Sequence, residues 1–301
     1  MLFPRAGALG LLALFPLLPA AGTALQEGPG LTVSEEWLAS HLNDENLVIL
    51  HVGDGEGYQA GHIPGARLIS LGAISAPMEA DSNDLRLEMP SPEDLRAAFE
   101  GFGVHDDSRI VVYFGTDWVT PAPRVVFTLD YLGLGDRTSF LDGGMPAWTG
   151  AGRPLSKEVP EVTEGHLTPK EVRGELLVDA AFVQDFPGDR GHRLVDARDL
   201  VFYDGTRPTN DREGHIPGAA SVPFTQAVDE ELVWDQEKLA EAFRAAGIQA
   251  GDTVVAYCHI GQQATTVLFG ARLLGHPVKL YDGSFQDWAK RDLPVEKGPG
   301  G

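Results

Sequence analysis

An internal repeat constrains the fold of this chain more than any other feature of its sequence. The hexapeptide Gly-His-Ile-Pro-Gly-Ala occurs at residues 61–66 and again at residues 214–219. Three further blocks recur around it in the same order: NLVILHVGD with HRLVDARD, GVHDDSRIVVYF with GIQAGDTVVAYC, and DGGMPAW with DGSFQDW. The chain is therefore two tandem copies of one domain of roughly 130 residues, which is an ordinary domain size.

Each copy alternates strand patterns with helix patterns. The strands are predicted as nearly continuous apolar runs, typical of strands buried on both faces, at residues 47–52, 110–114, 194–197 and 254–257. Helices are predicted after the caps Ser34 and Ser91 and over residues 127–132, 238–246 and 265–274. This alternation predicts an α/β fold, with a parallel sheet flanked by helices in each of the two domains.

The first residues have the pattern of a secretory signal peptide. Arg5 precedes an apolar run over residues 6–18, and Gly22-Thr23-Ala24 supplies small residues for cleavage after Ala24. We expect an exported protein, periplasmic or secreted, with no membrane insertion after cleavage; an uncleaved anchor is the alternative. The predicted organisation is a leader over 1–24, a first domain over 25–150, a linker over 151–165 and a second domain over 166–301.

Charge and histidine spacing narrow the range of partners. The formal charge is −21, and a strongly acidic surface repels nucleic acid and anionic lipid, so neither is an expected partner. The histidines show no metal-ligand spacing, so we expect no metal. His62 and His215, in the two hexapeptides, are expected to hydrogen-bond their turns.

Cys258 is the only cysteine among 301 residues, and it directly follows a predicted strand. Ligands of open α/β sheets bind at the carboxyl ends of strands, and a loop curling there into a helix gathers backbone N–H groups that hold an anion. The same field favours a thiolate. The alternative is a buried, inert cysteine. The predicted anion-binding loop consists of His259, Ile260, Gly261, Gln262, Gln263 and Ala264.

The first copy lacks these chemical features. Phe114 stands at the position of Cys258, and its loop is longer and contains two prolines. His51 replaces Asp196, and Gly53 replaces Arg198. We therefore expect the first domain to be non-catalytic and to cover the cleft of the second.

A lone thiol in an anion-binding loop limits the possible chemistry. A disulfide oxidoreductase needs a second cysteine, and a cysteine protease needs a base oriented toward the thiol, which the adjacent His259 does not provide. A cysteine phosphatase needs an arginine at the position of Ala264 to hold the phosphoryl group. What remains is attack on a sulfur atom of a small anionic donor, giving a persulfide.

Taken together, the motifs resemble the two-domain rhodaneses, which are sulfurtransferases. The resemblance covers about residues 25 to 298 and rests on Asp196-x-Arg198, the two hexapeptides, VVAYCHIGQQA and two Asp-Gly-x-x-x-x-Trp endings. It implies that Cys258 carries sulfur from thiosulfate to cyanide or a thiol without a cofactor. The expected substrate contacts are the loop, Arg198 and Arg212, and the expected structural supports are Asp196 and His215.

The loop sequence departs from the family in its charge. It has no arginine or lysine, so His259 is the one candidate for partial positive charge and has no neighbouring cation in the loop to help it. Phe202 stands where some members have a substrate arginine. Arg207 or Arg212 is a candidate replacement, and the favoured alternative for both is a solvated surface arginine. Three alternatives stay open: mercaptopyruvate as the donor, a thiol-dependent phosphatase or arsenate-type reductase, and a non-catalytic sulfur carrier or binding module. A monomer is expected, because the chain contains its own partner domain.

Overall fold

The structure is a computed structural model that describes residue 1 and residues 30–79, 84–115, 118–186 and 191–298. The predicted signal peptide lies outside these ranges, apart from Met1. Among the helices in these ranges, none is both long enough and apolar enough to cross a membrane.

The first half contains a five-stranded parallel sheet in the order β1-β5-β4-β2-β3. Its strands are β1 (Thr32–Val33), β2 (Leu47–Val52), β3 (Arg67–Ile69), β4 (Arg109–Phe114) and β5 (Thr138–Leu141). Its helices are α1 (Glu35–His41), α2 (Gly55–Ala60), α3 (Pro92–Gly101), α4 (Pro121–Tyr131) and α5 (Gly144–Gly150). The central strands β2 and β4 are buried beyond their first residue, as their uninterrupted apolar runs predict.

The second half repeats this sheet in the order β10-β7-β11-β12-β6. Its strands are β6 (Leu177–Val178), β7 (His192–Asp196), β8 (Pro208–Thr209), β9 (Arg212–Glu213), β10 (Ala220–Ser221), β11 (Thr253–Tyr257) and β12 (Val278–Tyr281). Its helices are α6 (Ala180–Gln184), α7 (Leu200–Tyr203), α8 (Gln236–Ala245), α9 (Gln263–Leu273) and α10 (Ser284–Lys290). Strands β8 and β9 form a separate antiparallel hairpin. The predicted fold class is confirmed.

The duplication extends to individual hydrogen bonds. The hydroxyls of Tyr113 in β4 and Tyr257 in β11 each accept the N–H of the hexapeptide isoleucine, Ile63 at 3.1 Å and Ile216 at 3.0 Å. The hexapeptide histidines bond to the carbonyls of Tyr58 and Tyr203, His62 at 2.9 Å and His215 at 2.8 Å. The hexapeptide therefore ties the end of a helix to the centre of the sheet in both halves.

The loop helices begin earlier than the sequence predicts. Helix α9 begins at Gln263 rather than residue 265, and α4 begins at Pro121 rather than residue 127. Pro121 and Pro123, assigned from sequence to the loop after Phe114, lie in the first turn of α4, where a missing N–H is tolerated. The loop in the first half is nevertheless the longer one.

The predicted linker lies within residues 151–173, which contain no helix or strand. Its backbone stays on the first half: Ser156 pairs with His62, and the N–H of Gly165 donates to Glu100 O at 2.7 Å.

Helices α4 and α9 pack against each other and join the two halves through one apolar cluster. Asp130 of α4 is 2% exposed and pairs with Arg272 of α9 at 2.9 Å and with Arg173 at 2.6 Å. The ends of the two sheets exchange contacts reciprocally. Asp142 of the first half accepts the N–H of Trp234, and Asp282 of the second accepts the N–H of Met89.

Candidate active site

Cys258 lies at the carboxyl edge of the second sheet, directly after β11. Its N–H donates to Ser284 Oγ at 3.2 Å, and its carbonyl accepts the N–H of Phe285 at 3.0 Å. The next carbonyl, that of His259, accepts the N–H of Gln286 at 3.1 Å. The first turn of α10 therefore holds the start of the loop by its carbonyl groups.

The second part of the loop is held by its carbonyls in the same way. Gly261 O accepts from Arg124 Nη1 at 3.2 Å, an arginine on α4 of the first half. Gln262 O accepts from the N–H of Thr265 at 3.2 Å and from its hydroxyl at 2.6 Å. Gly261 has a φ of +82°, a left-handed conformation that glycine adopts without strain and that curls the loop.

The N–H groups of the loop are left unpaired. Within the described part of the chain, the backbone N–H groups of residues 259–264 donate to no acceptor. In a planar trans peptide the C=O and the following N–H point in opposite directions. Carbonyls anchored on the outside therefore turn the amides toward the concave side of the loop, as an anion-binding site requires.

Cys258 itself has no exposed surface and belongs to the apolar cluster shared by the two halves. The sequence does not predict this complete burial. The site thus combines a covered thiol with a loop of unpaired amides.

Asp196 and Arg198 form a fully buried ion pair at the end of β7. Arg198 Nη2 donates to Asp196 Oδ2 at 2.6 Å and to Gly214 O at 2.8 Å, and Nη1 donates to Thr209 Oγ1 at 3.2 Å. Burial acts to lower the pKa of Arg198, but the charges of Asp196, Tyr257 and Cys258 raise it above its usual value.

A short hydrogen-bonded chain links Arg198 to the loop. Arg198 Nη1 donates to the Thr209 hydroxyl, and the same hydroxyl is hydrogen-bonded to His259 Nδ1, 3.0 Å away. Burial first, and then Arg198, lower the pKa of His259 to about 4. The expectation that His259 carries partial positive charge is therefore wrong, and the loop is neutral near pH 7.

The other predicted arginine contacts differ in their placement. Arg212 pairs with Asp292 and donates to Leu293 O at 2.8 Å, so its guanidinium is engaged at the end of α10. Arg207 is exposed and lies 5.2 Å above the ring of Phe202, which itself packs edge-on against His259. Of these two arginines, only Arg207 is linked to the loop among the described residues, and only through the ring of Phe202.

The loop side chains face different surroundings. Gln262 Nε2 donates to Thr120 Oγ1 at 2.7 Å, at the start of α4. Ala264 is buried, and Gln263 Oε1 is a buried acceptor without a described donor. Ile260 lines a cavity of about 580 Å³ between the halves together with Arg86 and Lys290. Sequence reasoning missed these two cations, because they lie far from Cys258 in the chain.

The sequence analysis also missed Ser284, although comparing the two copies of the repeat would have indicated it. Ser284 has a φ of +52° and a fully buried side chain, and its first-half counterpart is Gly144, also at +52°. A Cβ on Gly144 would lie 2.5 Å from Cε1 of Phe114, the counterpart of Cys258. The small cysteine thus makes room for the serine, and the two positions differ together between the copies.

His215 packs flat against Tyr203, with ring centroids 3.8 Å apart, and belongs to the hexapeptide turn beside Gly214. Within the described residues, no three His, Cys, Asp or Glu side chains come together as a metal-binding group.

Comparisons with known proteins agree with this architecture. A family model for the rhodanese-like domain matches residues 34–151 and 179–291. The 3-mercaptopyruvate sulfurtransferase of Escherichia coli K12 is 30% identical over 88% of this chain and 97% of its own length. The thiosulfate sulfurtransferase of Pseudomonas aeruginosa is 29% identical over 88% of this chain and 97% of its own length.

Among solved structures, that of wild-type EanB superposes with a TM-score of 0.77 at 23% identity, covering 89% of this chain and 69% of that one, which shows a shared fold. Two matched rhodanese-like domains and relatives similar along most of their length agree with the duplicated sheets. The chain belongs to the rhodanese-like family and is a tandem, two-domain sulfurtransferase.

Proposed function

We propose that this protein is exported and moves the outer sulfur of thiosulfate to cyanide or a thiol through a persulfide on Cys258. The observation that carries the proposal is the set of unpaired N–H groups over residues 259–264 beside the only thiol of the chain. Such donors stabilise the anionic donor, the departing anion and the persulfide without a cofactor.

The reaction divides into two transfers. The Cys258 thiolate attacks the outer sulfur of thiosulfate, the S–S bond of the donor breaks, and sulfite leaves with the electron pair. The new persulfide anion lies among the loop amides. Cyanide then attacks the terminal sulfur and leaves as thiocyanate, which returns Cys258 to the thiolate. A thiol acceptor would take the sulfur in the same way and carry it as its own persulfide.

Two sulfur donors are candidates for the first transfer. The two relatives act on different donors by name, and both are about equally similar to this chain. Thiosulfate is the first candidate, because the unpaired amides of the loop can hold a compact anion without a side-chain cation. Mercaptopyruvate is the second candidate, because its carboxylate would need a further contact and Arg86 and Lys290 line the adjoining cavity, although Asp84 and Asp211 line it as well and oppose an anion there.

Intact-mass measurement tests the proposal directly. Incubation with thiosulfate should add the mass of one sulfur atom to the wild type and nothing to Cys258→Ser, and cyanide should remove the added mass as thiocyanate. Turnover measured with thiosulfate and with mercaptopyruvate then identifies the donor. A wild-type protein that gains no sulfur from either donor would contradict sulfur transfer and leave a binding module as the remaining function.

Export and a monomeric state belong to the same proposal. They predict that the mature protein from an exporting host begins after Ala24 and elutes as a single chain. N-terminal sequencing and light scattering check these points. A protein that keeps residues 1–24 and stays in the membrane fraction would contradict cleavage.

A further inference from the structure

We propose that Arg124, in the non-catalytic first domain, is a positioning residue that orients one of the anion-binding amides of the loop beside Cys258. The inference rests on the proposed function, since it assigns the means by which the loop is held in its active shape. Arg124 lies on α4 and is 1% exposed.

Three acceptors fix the guanidinium of Arg124. Nη1 donates to Asp282 Oδ1 at 2.6 Å and to Gly261 O at 3.2 Å, and Nη2 donates to Leu87 O at 2.6 Å. The Asp282 carboxylate is itself fixed by the N–H of Met89 at 2.7 Å. Because a guanidinium is planar and its donors diverge in a fixed fork, these contacts leave it one orientation.

The contact with Gly261 determines where the next amide points. Gly261 O and the N–H of Gln262 belong to one peptide plane and point in opposite directions. With the oxygen anchored on Arg124, the Gln262 N–H faces the concave side of the loop. Without Arg124, this peptide loses its outer anchor and can rotate, because glycine permits many φ and ψ values.

Two further observations show that α4 restricts the loop conformation at and next to Gly261. A Cβ added to Gly261 would lie 3.0 Å from Arg124 Nη1 and 3.0 Å from Asp282 O, so the loop and the arginine are in close contact. Gln262 donates its side-chain amide to Thr120, which caps the same helix. Helix α4 therefore fixes both the oxygen before the Gln262 amide and the side chain after it.

A pair of alkylating reagents provides the readout. Iodoacetate and iodoacetamide are similar in size and differ in charge, and both need the same opening to reach the covered Cys258. The ratio of their rates, compared with that of free cysteine, therefore measures the anion preference of the loop and not access or overall stability. The second readout is the rate of persulfide formation from thiosulfate.

We expect Arg124→Gln to lower the iodoacetate preference and the thiosulfate rate by about tenfold, since misdirecting one donor at an anion site should have part of the roughly hundredfold or larger cost of removing it. Arg124→Lys keeps the charge beside Asp282 but cannot reproduce the fork, so it should show a smaller loss of both quantities. Arg272→Gln is the matched control, because Arg272 also joins α4 and α9, through Asp130, and makes no described contact with the loop.

The proposal is overturned if Arg124→Gln keeps the wild-type reagent ratio, or if Arg272→Gln lowers it equally, since the effect would then come from docking of the halves. Should Arg124→Gln fail to fold, Arg124→Lys decides, and an unchanged ratio in that variant overturns the proposal. The reagent ratio stays informative even if thiosulfate proves not to be a donor, so failure of the proposed function is distinguishable from failure of this inference.

Discussion

At the scale of single residues, the two copies of the domain show which changes create the site. The first copy combines a bulky Phe114 with Gly144, and the second combines Cys258 with Ser284. Ser284 adopts a left-handed φ of +52°, which costs a non-glycine residue of order 1 kcal/mol. The strain is offset by hydrogen bonds in which Ser284 Oγ accepts from the Cys258 N–H and donates to Tyr281 O.

Replacing Ser284 tests this interpretation. Ser284→Gly should lower the rate of persulfide formation by about fivefold, because about 1 kcal/mol of positioning at Cys258 is lost, while thermal stability changes little. Stopped-flow measurement of the first sulfur transfer checks the rate, and thermal unfolding checks the stability.

Ser284→Ala is the matched control for the strain. It loses the same hydrogen bonds but keeps the left-handed backbone, so it should match Ser284→Gly in rate and be about 1 kcal/mol less stable. A wild-type rate in both variants would show that Ser284 does not position Cys258.

At the scale of elements, the end of β7 and the β8–β9 hairpin form one polar unit under the loop. The buried pair of Asp196 and Arg198 reaches Thr209 of the hairpin and, through it, His259. The charges are fully removed from water, so each depends on the other.

Breaking this pair should therefore be costly. Arg198→Met leaves Asp196 buried without its partner, and we expect a loss of about 3–5 kcal/mol in the free energy of unfolding. Arg212→Met is the comparison, because its partner Asp292 is 94% exposed, and that loss should stay below about 1 kcal/mol. Urea denaturation of both variants checks the contrast, and equal losses would contradict it.

The elements also show which parts of the fold and of the candidate site could be predicted from the sequence. The repeat and the apolar runs predict both sheets, because a strand buried on two faces leaves a local signal at Val48 to Val52 and Val254 to Tyr257. The start of α9 at Gln263 leaves no local signal in the sequence, because the helix begins with polar residues that look like a continuation of the loop. Arg124 and Thr209 could not be found either, since they reach the loop across 137 and 50 residues of chain. The neutrality of His259 could not be predicted either, because it depends on the burial of the imidazole in the folded chain.

At the scale of the whole molecule, two histidines, one buried and one half-buried, make the fold sensitive to acid. Burial first, and then the nearby His62, lower the pKa of His51 to about 4, and burial lowers that of His259 to about 4. The unfolded chain takes up these protons near pH 6.5, which the folded chain resists. Stability is therefore fully present above about pH 6.5 and falls as the pH drops from there toward 4.

Each of these histidines should remove about 2 kcal/mol of stability between pH 8 and pH 5. His51 is the cleaner one to test, because it lies outside the candidate site and bonds to the hydroxyl of Tyr113 at 2.8 Å. His51→Gln should reduce the acid loss by about this amount, measured by urea denaturation at the two pH values. A steep acid loss retained in His51→Gln would contradict the assignment.

The reciprocal contacts of Asp142 and Asp282 have a further consequence for how such a chain can change over time. Each half donates one main-chain N–H to a carboxylate of the other, so removing or rearranging either half would leave a carboxylate of its partner without this donor. Substitutions in one half that disturb these contacts should therefore also affect the other, and the two halves can change only together.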